Sequence, residues 1–477
     1  MNGRPARAAH PRAATLALFS AVVLAALPSC STSTNKQAPR QIIYWEKWTG
    51  FEGEAMDSVI DDFNESEVAR AKANPNYAPI EVEKVTISKI EQKLLIAIAG
   101  GNPPDLAGHY SFAVAAYADN GALTDLGPML AKSDFDRSRY IEHYMRLGEY
   151  RGTTWALPLA PASTALLLNK RLLSEVGLDP AKPPLTIEEL DAYAEKLTKW
   201  EVTLPSGQKQ IESGYLPDVP ASHKRLLQAG FLPGEPIWFL YGWGDFFGGR
   251  LIDGPEKISA ADPANIRAFD WVASYSRKLG VDVIKRFRSG FGNSSSPQSA
   301  FLSGKVAMTL QGVWMHNYIE KYAPGLQWSA APFPYPADHP ELAGTSHAEA
   351  DVLMIPKGSP HPEEAFAFMQ YASTQGALEK LCLAQQKFTP LASVSEQFWL
   401  AHPNPYIRLF RELGTSKNAV AIPQTGIWNE YKRELDNAVD MIQSLKDQPA
   451  LALAEVQSKM QAALDRDRKI QARRASE

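Results

Sequence analysis

Aromatic residues stand beside acidic residues at two places in the sequence. Glu46 and Trp48 follow a short run of β-forming residues, whereas Tyr241, Trp243 and Asp245 recur at every second position of the most aromatic stretch. Side chains at every second position share one face of an extended segment. Flat rings can cover the apolar C–H faces of a sugar, and carboxylates can bind its hydroxyls. The same combination can also form a cage around an organic cation.

Catalytic and metal-binding chemistry has less support. His347, Glu349 and Asp351 alternate as metal ligands on one face of a strand would, but hydrogen-bonding side chains are the simpler interpretation. Two cysteines exclude Cys-clustered zinc and iron–sulfur sites, and the chain has no nucleophile elbow, His-Glu-x-x-His motif or P-loop. We therefore predict a protein without metal, cofactor or catalytic residues. An exported glycan-active enzyme stays open as an alternative, because a glycosidase needs only a suitably spaced pair of carboxylates.

The composition describes a large globular protein. Its 477 residues exceed one domain of ordinary size, and a hydrophobic content of 45% excludes a disordered chain. With 49 Lys and Arg against 53 Asp and Glu, the net charge of −4 offers no basic surface for nucleic acid. The 11 Trp and 17 Tyr residues are a high aromatic content, which a set of ligand-binding rings would explain.

The first thirty residues predict export. Three arginines precede an apolar run over residues 13–27, which is too short to span a bilayer. The run ends in Leu27-Pro-Ser-Cys30, which resembles the bacterial lipobox. We predict a signal peptide over residues 1–29 and a lipidated Cys30 with its polar tether over residues 30–40. The mature protein is then a membrane-anchored lipoprotein that faces the periplasm or the cell exterior, and an ordinary cleaved signal is the alternative.

Strands and helices alternate along the rest of the chain. Residues 41–45 and 79–85 have the pattern of strands, and residues 52–64 that of a helix. The capping boxes Ser88-Lys-Ile-Glu91 and Thr186-Ile-Glu-Glu189 predict two further helix starts. This alternation predicts an α/β fold of mainly parallel sheets flanked by helices, in which ligands bind beyond the carboxyl ends of strands. The segments that follow predicted strands are residues 46–50, 107–112 and 311–316.

Five passages carry a resemblance to a known family. Residues 93–106 read as a helix, a glycine pair, Pro-Asp and a strand, and residues 301–314 as a helix, a turn and a strand that ends in Gly-Val-Trp314. Three further passages lie between them, at residues 117–126, 150–158 and 165–180. In this order and spacing the chain resembles the extracellular solute-binding proteins that supply ABC sugar importers, the family of maltose-binding protein.

The resemblance implies a two-lobed periplasmic-binding-protein fold whose hinge closes over a ligand. Closed lobes contact the ligand from both sides and exclude water, which strengthens polar contacts. The implied partners are a carbohydrate and the membrane permease of an ABC importer, with the chain itself a monomer. The implied crossings lie near Ala160, residues 345–349 and Pro390. The predicted lobes are residues 41–160 with 349–389 (N-terminal) and residues 161–348 with 390–477 (C-terminal).

The resemblance also assigns roles to single residues. It implies a stacking ring at Trp314, a late cleft aromatic at Trp428, a cleft side chain at His109 and a hydrogen-bonding His347 at the second crossing. Three other aromatic residues are assigned to packing: Trp45, Trp238 and Phe246. The complete predicted ligand-binding set is Glu46, Trp48, His109, Tyr241, Trp243, Asp245, Trp314, His347 and Trp428.

These inferences predict an extracytoplasmic receptor that captures a mono- or oligosaccharide without changing it. A receptor of the same fold for a polyol phosphate or a polyamine is the alternative. A phosphate would favour Arg or Lys in the cleft. The candidate segments are aromatic and acidic instead, which favours a neutral polyol.

Overall fold

The computed structural model describes residues 38–476, apart from the side chains of Ile237, Trp238, Ala475 and Ser476. The predicted signal peptide, Cys30 and most of the tether therefore lie outside the described residues, as does the packing assigned to Trp238. Among the residues that are described, no helix combines the length and apolar character that a membrane span requires.

Strands and helices alternate along residues 38–476. The strands are β1 (Arg40–Glu46), β2 (Ile80–Thr86), β3 (Leu106–Tyr110), β4 (Glu149–Tyr150), β5 (Thr153–Thr154), β6 (Ala156–Asn169), β7 (Lys199–Thr203), β8 (Lys209–Ser213), β9 (Lys224–Gln228), β10 (Ile252–Asp253), β11 (Lys257–Ile258), β12 (Met308–Gly312), β13 (Trp328–Ala331), β14 (Ser346–Met354) and β15 (Ala419–Val420). The 3-10 helices lie at Ser111–Ala113, Arg137–Arg139, Ile237–Phe247 and Pro340–Leu342. The α-helices are α1 (Phe51–Ala73), α2 (Ile90–Ala99), α3 (Val114–Asp119), α4 (Gly127–Leu130), α5 (Glu142–Arg146), α6 (Lys170–Glu175), α7 (Ile187–Leu197), α8 (Pro263–Leu279), α9 (Val281–Arg288), α10 (Met315–Tyr322), α11 (Pro362–Ala372), α12 (Gln375–Ala384), α13 (Glu396–Ala401), α14 (Ile407–Gly414), α15 (Trp428–Gln443) and α16 (Pro449–Ser476).

One sheet of eight strands runs through the molecule. Its order is β12-β6-β14-β3-β1-β2, with β13 also paired to β6 and β15 to β14. β1 is parallel to β2 and β3, whereas β14 is antiparallel to both β3 and β6. The sheet is therefore mixed rather than mainly parallel, because β14 enters between β3 and β6 in the opposite direction. β6 carries the continuous apolar run of a strand that is buried on both faces.

Separate hydrophobic cores define the two lobes. In the N-terminal lobe, Tyr44 and Phe368 pack on one face of the sheet and Tyr117 packs on the other. In the C-terminal lobe, Trp200 and Phe269 belong to one large cluster that the later helices complete. The predicted two-lobed α/β fold is confirmed.

The packing shows where the chain changes lobe. β6 contributes Leu157 to the core of the N-terminal lobe and Leu168 to that of the C-terminal lobe, so this strand crosses between them. Phe398, in α13, still packs in the N-terminal core. Phe398 thus packs with residues of the N-terminal lobe, although the lobe boundary predicted near Pro390 would place it in the C-terminal lobe.

The two predicted capping boxes have different outcomes. The Thr186 hydroxyl accepts a hydrogen bond from the N–H of Glu189 (3.2 Å) and the Glu189 carboxylate accepts one from the N–H of Leu185 (2.7 Å), so α7 is capped. The helix predicted after Ser88 is present as α2, but its predicted capping box is not formed. Lys89 precedes α2 in a left-handed conformation with φ 55°, and no side chain caps that helix.

The last helix connects the two lobes. α16 packs in the C-terminal lobe through Leu453 and Met460. Its far end reaches the N-terminal lobe, where Gln471 Nε2 donates a hydrogen bond to the carbonyl oxygen of Asp119 over 3.2 Å. Arg474 donates a second hydrogen bond to the same oxygen. This contact between the lobes is separate from the crossing strands.

Glu349 joins strand β14 to two neighbouring segments. Its carboxylate accepts a hydrogen bond from the Ser111 hydroxyl over 2.6 Å and another from the N–H of Ile422. Ser111 follows β3 in the N-terminal lobe, and Ile422 follows β15. Burial raises the pKa of Glu349 to about 7, although both hydrogen bonds and the nearby His347 act in the opposite direction.

Glu349→Gln is expected to stabilise the protein more at pH 8 than at pH 5. Because the folded-state pKa of about 7 lies above the ordinary value, the folded protein binds more protons than the unfolded chain between the two pKa values, and stability falls as pH rises through that window. Gln removes this titration and keeps an acceptor for Ile422. Urea unfolding should show that the gain in unfolding free energy from Glu349→Gln is larger at pH 8 than at pH 5, by up to about 3 kcal/mol. Glu363→Gln, on the exposed side of α11, is the matched control, and an equal effect at both pH values would contradict the raised pKa.

Candidate functional site

A cavity of about 450 Å³ lies between the two lobes. The N-terminal lobe contributes Trp48 and Tyr110 to its walls, the C-terminal lobe contributes Trp314 and Trp428, and β14 contributes Glu349. This volume is typical of sites that enclose a small ligand. Because the walls belong to two lobes, a hinge movement would change the width of the cavity. We refer to it below as the inter-lobe cavity.

Trp314 is positioned by the glycine two residues before it. β12 ends at Gly312, and α10 begins directly after Trp314. A β-carbon at position 312 would come within 2.1 Å of the Trp314 ring. The ring therefore lies against the backbone of Gly312, which has no side chain to displace it. The indole is therefore held just beyond the end of β12. Trp314 is partly exposed there and lines the inter-lobe cavity.

Trp428 and Tyr241 form a second part of the aromatic wall. Trp428 begins α15, and its ring meets that of Tyr241 edge-on at 5.3 Å. Both rings are almost fully buried, and both line the inter-lobe cavity. The Trp428 indole Nε1 has no hydrogen-bond partner among the described residues. A ligand oxygen that reached this group would supply the acceptor that it lacks.

Two lysines hold Trp48 in place. Lys47 Nζ lies 4.7 Å and Lys387 Nζ 5.6 Å from the centre of the Trp48 ring. Asp351 bridges the two ammonium groups at 2.9 and 3.4 Å, and Glu52 pairs with Lys387 at 2.8 Å. Burial disfavours the charged lysines, but the neighbouring carboxylates outweigh it and raise the pKa of both. The lysines are thus fixed as cations, and both lie close enough to the Trp48 ring for a cation–π contact.

Glu46 and His109 do not line the cavity. Glu46 is fully buried and accepts hydrogen bonds from the N–H groups of Lys47 (2.7 Å) and Trp48 (3.1 Å), so it shapes the turn after β1. His109 is also fully buried, and burial together with the Lys47 charge lowers its pKa to about 3. The neighbouring Tyr110 lines the cavity instead. Side chains alternate across a strand, so an error of one position moved the prediction from the cavity into the core.

Trp243 does not line the inter-lobe cavity either. The segment Ile237–Phe247 consists of two short 3-10 helices separated by a kink at Phe239, so residues two apart do not share a face as they would in a strand. Trp243 lies 2% exposed in the C-terminal core, where its Nε1 donates to the carbonyl oxygen of Pro233 over 3.2 Å. Tyr241 does reach the cavity, as does Phe239, which the sequence reasoning did not single out. Of the residues assigned to packing, Phe246 is 1% exposed in the same core and Trp45 is partly buried.

Two further cavity residues lie four positions after predicted tryptophans. Tyr318 follows Trp314 on α10, and Lys432 follows Trp428 on α15. Residues four apart lie on the same face of a helix, so the helical spacing would have been sufficient to find them. Lys432 is paired with Asp436 at 2.5 Å and lies 5.4 Å from the Tyr241 ring.

A second cavity of about 470 Å³ adjoins the first. It is lined by Asp245 and His347, two residues of the predicted set, and by the segment around β15. His347 Nε2 lies 3.0 Å from the Asp245 carboxylate and 3.2 Å from the carbonyl oxygen of Gly242. His347, Glu349 and Asp351 therefore each have their own partners, and no group of metal-ligating side chains was found within residues 38–476.

The chain is similar in sequence to proteins that are named as binding proteins. The chain is 29% identical over 174 residues to the sn-glycerol-3-phosphate-binding periplasmic protein UgpB of Yersinia pestis, a match that covers 35% of this chain and 37% of that relative. The chain thus spans only about a third of the curated relative's length. It is 21% identical over 403 residues to a putative binding protein of Brucella abortus, which covers 84% of this chain and 89% of the relative.

Solved structures share the fold along almost their whole length. CpMnBP1 with mannobiose bound has a TM-score of 0.72 and 27% identity, covering 89% of this chain and 99% of that chain. The GacH receptor of Streptomyces glaucescens, solved unliganded and with acarbose, has a TM-score of 0.66 and 20% identity over 89% of this chain and 98% of its own. The sequence profile for bacterial extracellular solute-binding proteins matches residues 58–404, well over half of this chain. The chain, with two lobes around an aromatic cavity, belongs to the bacterial extracellular solute-binding protein family.

Proposed function

We propose that the protein captures a carbohydrate between its lobes and delivers it to an ABC importer. The observation that carries the proposal is the wall of the inter-lobe cavity, to which both lobes contribute aromatic rings. Rings of this kind stack on the apolar faces of sugars, and closure of two lobes would apply them from both sides. The likeness to CpMnBP1 with mannobiose bound supports the same ligand class.

The charges at the cavity favour a neutral ligand. Lys387 is already paired with Glu52 and Asp351, and Lys432 with Asp436. An incoming phosphate would have to compete with these carboxylates for the two cations. A polyol phosphate therefore has less support here, even though the partial match to UgpB keeps it as the alternative to test.

The hydrogen bonds and ion pairs of the carboxylates at the site support a protein that binds its ligand without converting it. Glu349 accepts two hydrogen bonds, and Asp351 is held by two lysines, so each is committed to a structural partner. Burial opposes the ionisation of Asp351, but Lys47 and Lys387 lower its pKa, which makes it unsuited as a proton donor. The likeness to binding proteins points the same way.

Export and anchoring complete the proposal. The chain is secreted after loss of residues 1–29, held by a lipid on Cys30, and acts as a monomer that presents its closed form to the permease. Metabolic labelling with a fatty acid should mark the wild-type protein and leave Cys30→Ser unlabelled. Equal labelling of the two proteins would contradict a lipid on Cys30.

A thermal-shift series over sugars, glycerol phosphates and polyamines tests the ligand class. We expect a carbohydrate to stabilise the full chain, by about 2.7 kcal/mol when its concentration is a hundred times Kd. Stabilisation by glycerol phosphates or polyamines alone would overturn the carbohydrate proposal. Chemical conversion of the bound glycan would overturn the assignment as a binding protein.

Trp314→Ala should weaken carbohydrate binding at least about thirty-fold, which corresponds to about 2 kcal/mol for a central aromatic contact. Titration calorimetry on the folded variant measures the change. Trp399→Ala is the control, because Trp399 is half-buried on α13 and lines neither cavity. Unchanged affinity in Trp314→Ala, or an equal loss in both variants, would contradict a stacking role for Trp314.

Gly312→Ala should also weaken binding, by on the order of ten-fold, because its methyl group would push the Trp314 ring out of position. Gly325→Ala serves as the control, since a β-carbon there has no atom within 4 Å. The ring contact predicts that Gly312→Ala has no additional effect in a Trp314→Ala background. Additive losses would show that Gly312 acts independently of the indole.

A further inference from the structure

We propose that a basic groove on the C-terminal lobe docks on a membrane surface that carries anionic phospholipid headgroups. The groove has a volume of about 610 Å³ and lies between strand β9, helix α9 and the turn that precedes β12. It shares no residue with the inter-lobe cavity or with the second cavity beside it. The proposal is therefore independent of the ligand that binds between the lobes.

Positive charge is concentrated in this groove. Four basic side chains line it, against the single acidic side chain of Asp282: Lys224, Arg225, Arg286 and Lys305. The chain as a whole carries a net charge of −4, so the excess of cations is local. Like charges that are held close together repel one another, and an anionic partner would relieve that repulsion.

Three of these cations are available to an anion. Lys224 and Arg286 donate hydrogen bonds to backbone carbonyl oxygens, which are neutral. Neither of them forms an ion pair within residues 38–476, and the same is true of Lys305. Arg225 is paired with Glu201 over 3.2 Å. The groove thus differs from the inter-lobe cavity, where the lysines are already neutralised by carboxylates.

Apolar surface accompanies the charges. Val283 and Phe287 line the groove and belong to the core of the C-terminal lobe. On the small sheet of β7, β8 and β9, Ile211 is 60% exposed. Ile211 and Arg225 both lie opposite Glu201 in the register, so they share one face of that sheet. Cations around an exposed apolar side chain are typical of surfaces that lie at the level of lipid headgroups.

The size of the groove favours a membrane over a small anion. A single phosphate ion would fill only a small part of about 610 Å³, whereas an array of headgroups could meet cations on the strand, the helix and the turn together. The predicted lipid on Cys30 would also hold the lobes near such a surface. Its tether of residues 30–40 can span at most about 40 Å when fully extended.

Sedimentation with vesicles tests the docking on the full chain with Cys30→Ser, which removes the site of the predicted lipid. We expect binding to mixed vesicles of phosphatidylglycerol and phosphatidylcholine, and little binding to phosphatidylcholine alone. The neutral vesicles control for insertion of the apolar run at residues 13–27. Because salt screens exposed charges, binding should be lost as the salt concentration rises from about 0.05 M to about 0.5 M.

Single charge changes in the groove should shift the affinity in both directions. Lys305→Gln should weaken binding to the anionic vesicles about five-fold, which is the contribution of one cation at a membrane surface. Asp282→Asn should strengthen binding by a similar factor, because it removes the one acid that lines the groove. A misfolded variant would not produce that gain. Lys357→Gln removes one positive charge from an exposed position of the N-terminal lobe and should leave the affinity almost unchanged.

Equal losses in Lys305→Gln and Lys357→Gln would overturn the proposal, as would equal binding to neutral and anionic vesicles. Release by low concentrations of inorganic phosphate at constant ionic strength would overturn the membrane as the occupant and indicate a site for a small anion. Carbohydrate binding by the same variants should match that of the wild type. The docking proposal and the carbohydrate proposal can therefore fail separately.

Discussion

The antiparallel pairing of β6 with β14 is the constraint on which the rest of the molecule depends. The register runs from Ala348 opposite Ser163 to Met354 opposite Ala156, with one irregularity between Asp351 and Val352. Residues of these strands enter the cores of both lobes and the walls of both cavities. A slip by one residue would turn every side chain to the other face and would disrupt the cores and the site together.

Buried charges around this pair of strands are arranged in compensated groups. Taking an ion out of water costs several kcal/mol unless partners replace the lost hydration. Asp351 meets that requirement with Lys47 and Lys387, and both lysines also lie near the Trp48 ring. The charged cluster therefore serves the site indirectly, because it fixes an aromatic surface rather than offering a free charge to the ligand. The neutral character of the wall follows from that pairing.

Sequence patterns predicted the lobes and much of the aromatic wall, and they failed where orientation depends on local backbone geometry. Trp48, Trp314 and Trp428 all line the inter-lobe cavity, since each stands at the end of a strand or the start of a helix. Tyr110 was missed in favour of His109 because a sequence does not state which face of β3 is buried. Trp243 was misplaced because a stretch rich in aromatic residues and glycine is as compatible with a 3-10 helix as with a strand. Nothing in the sequence shows that Phe398, which lies beyond the boundary predicted near Pro390, packs in a core formed mostly by distant residues.

The contact between α16 and Asp119 has a kinematic consequence. Two bodies that are joined at separate points move most easily in ways that leave the joints intact. The crossing strands are one joint between the lobes, and the hydrogen bonds of Gln471 and Arg474 to Asp119 are another. A movement of the lobes that carried the far end of α16 away from Asp119 would have to break these hydrogen bonds. The far end of α16 therefore favours movements of the lobes that keep it beside Asp119.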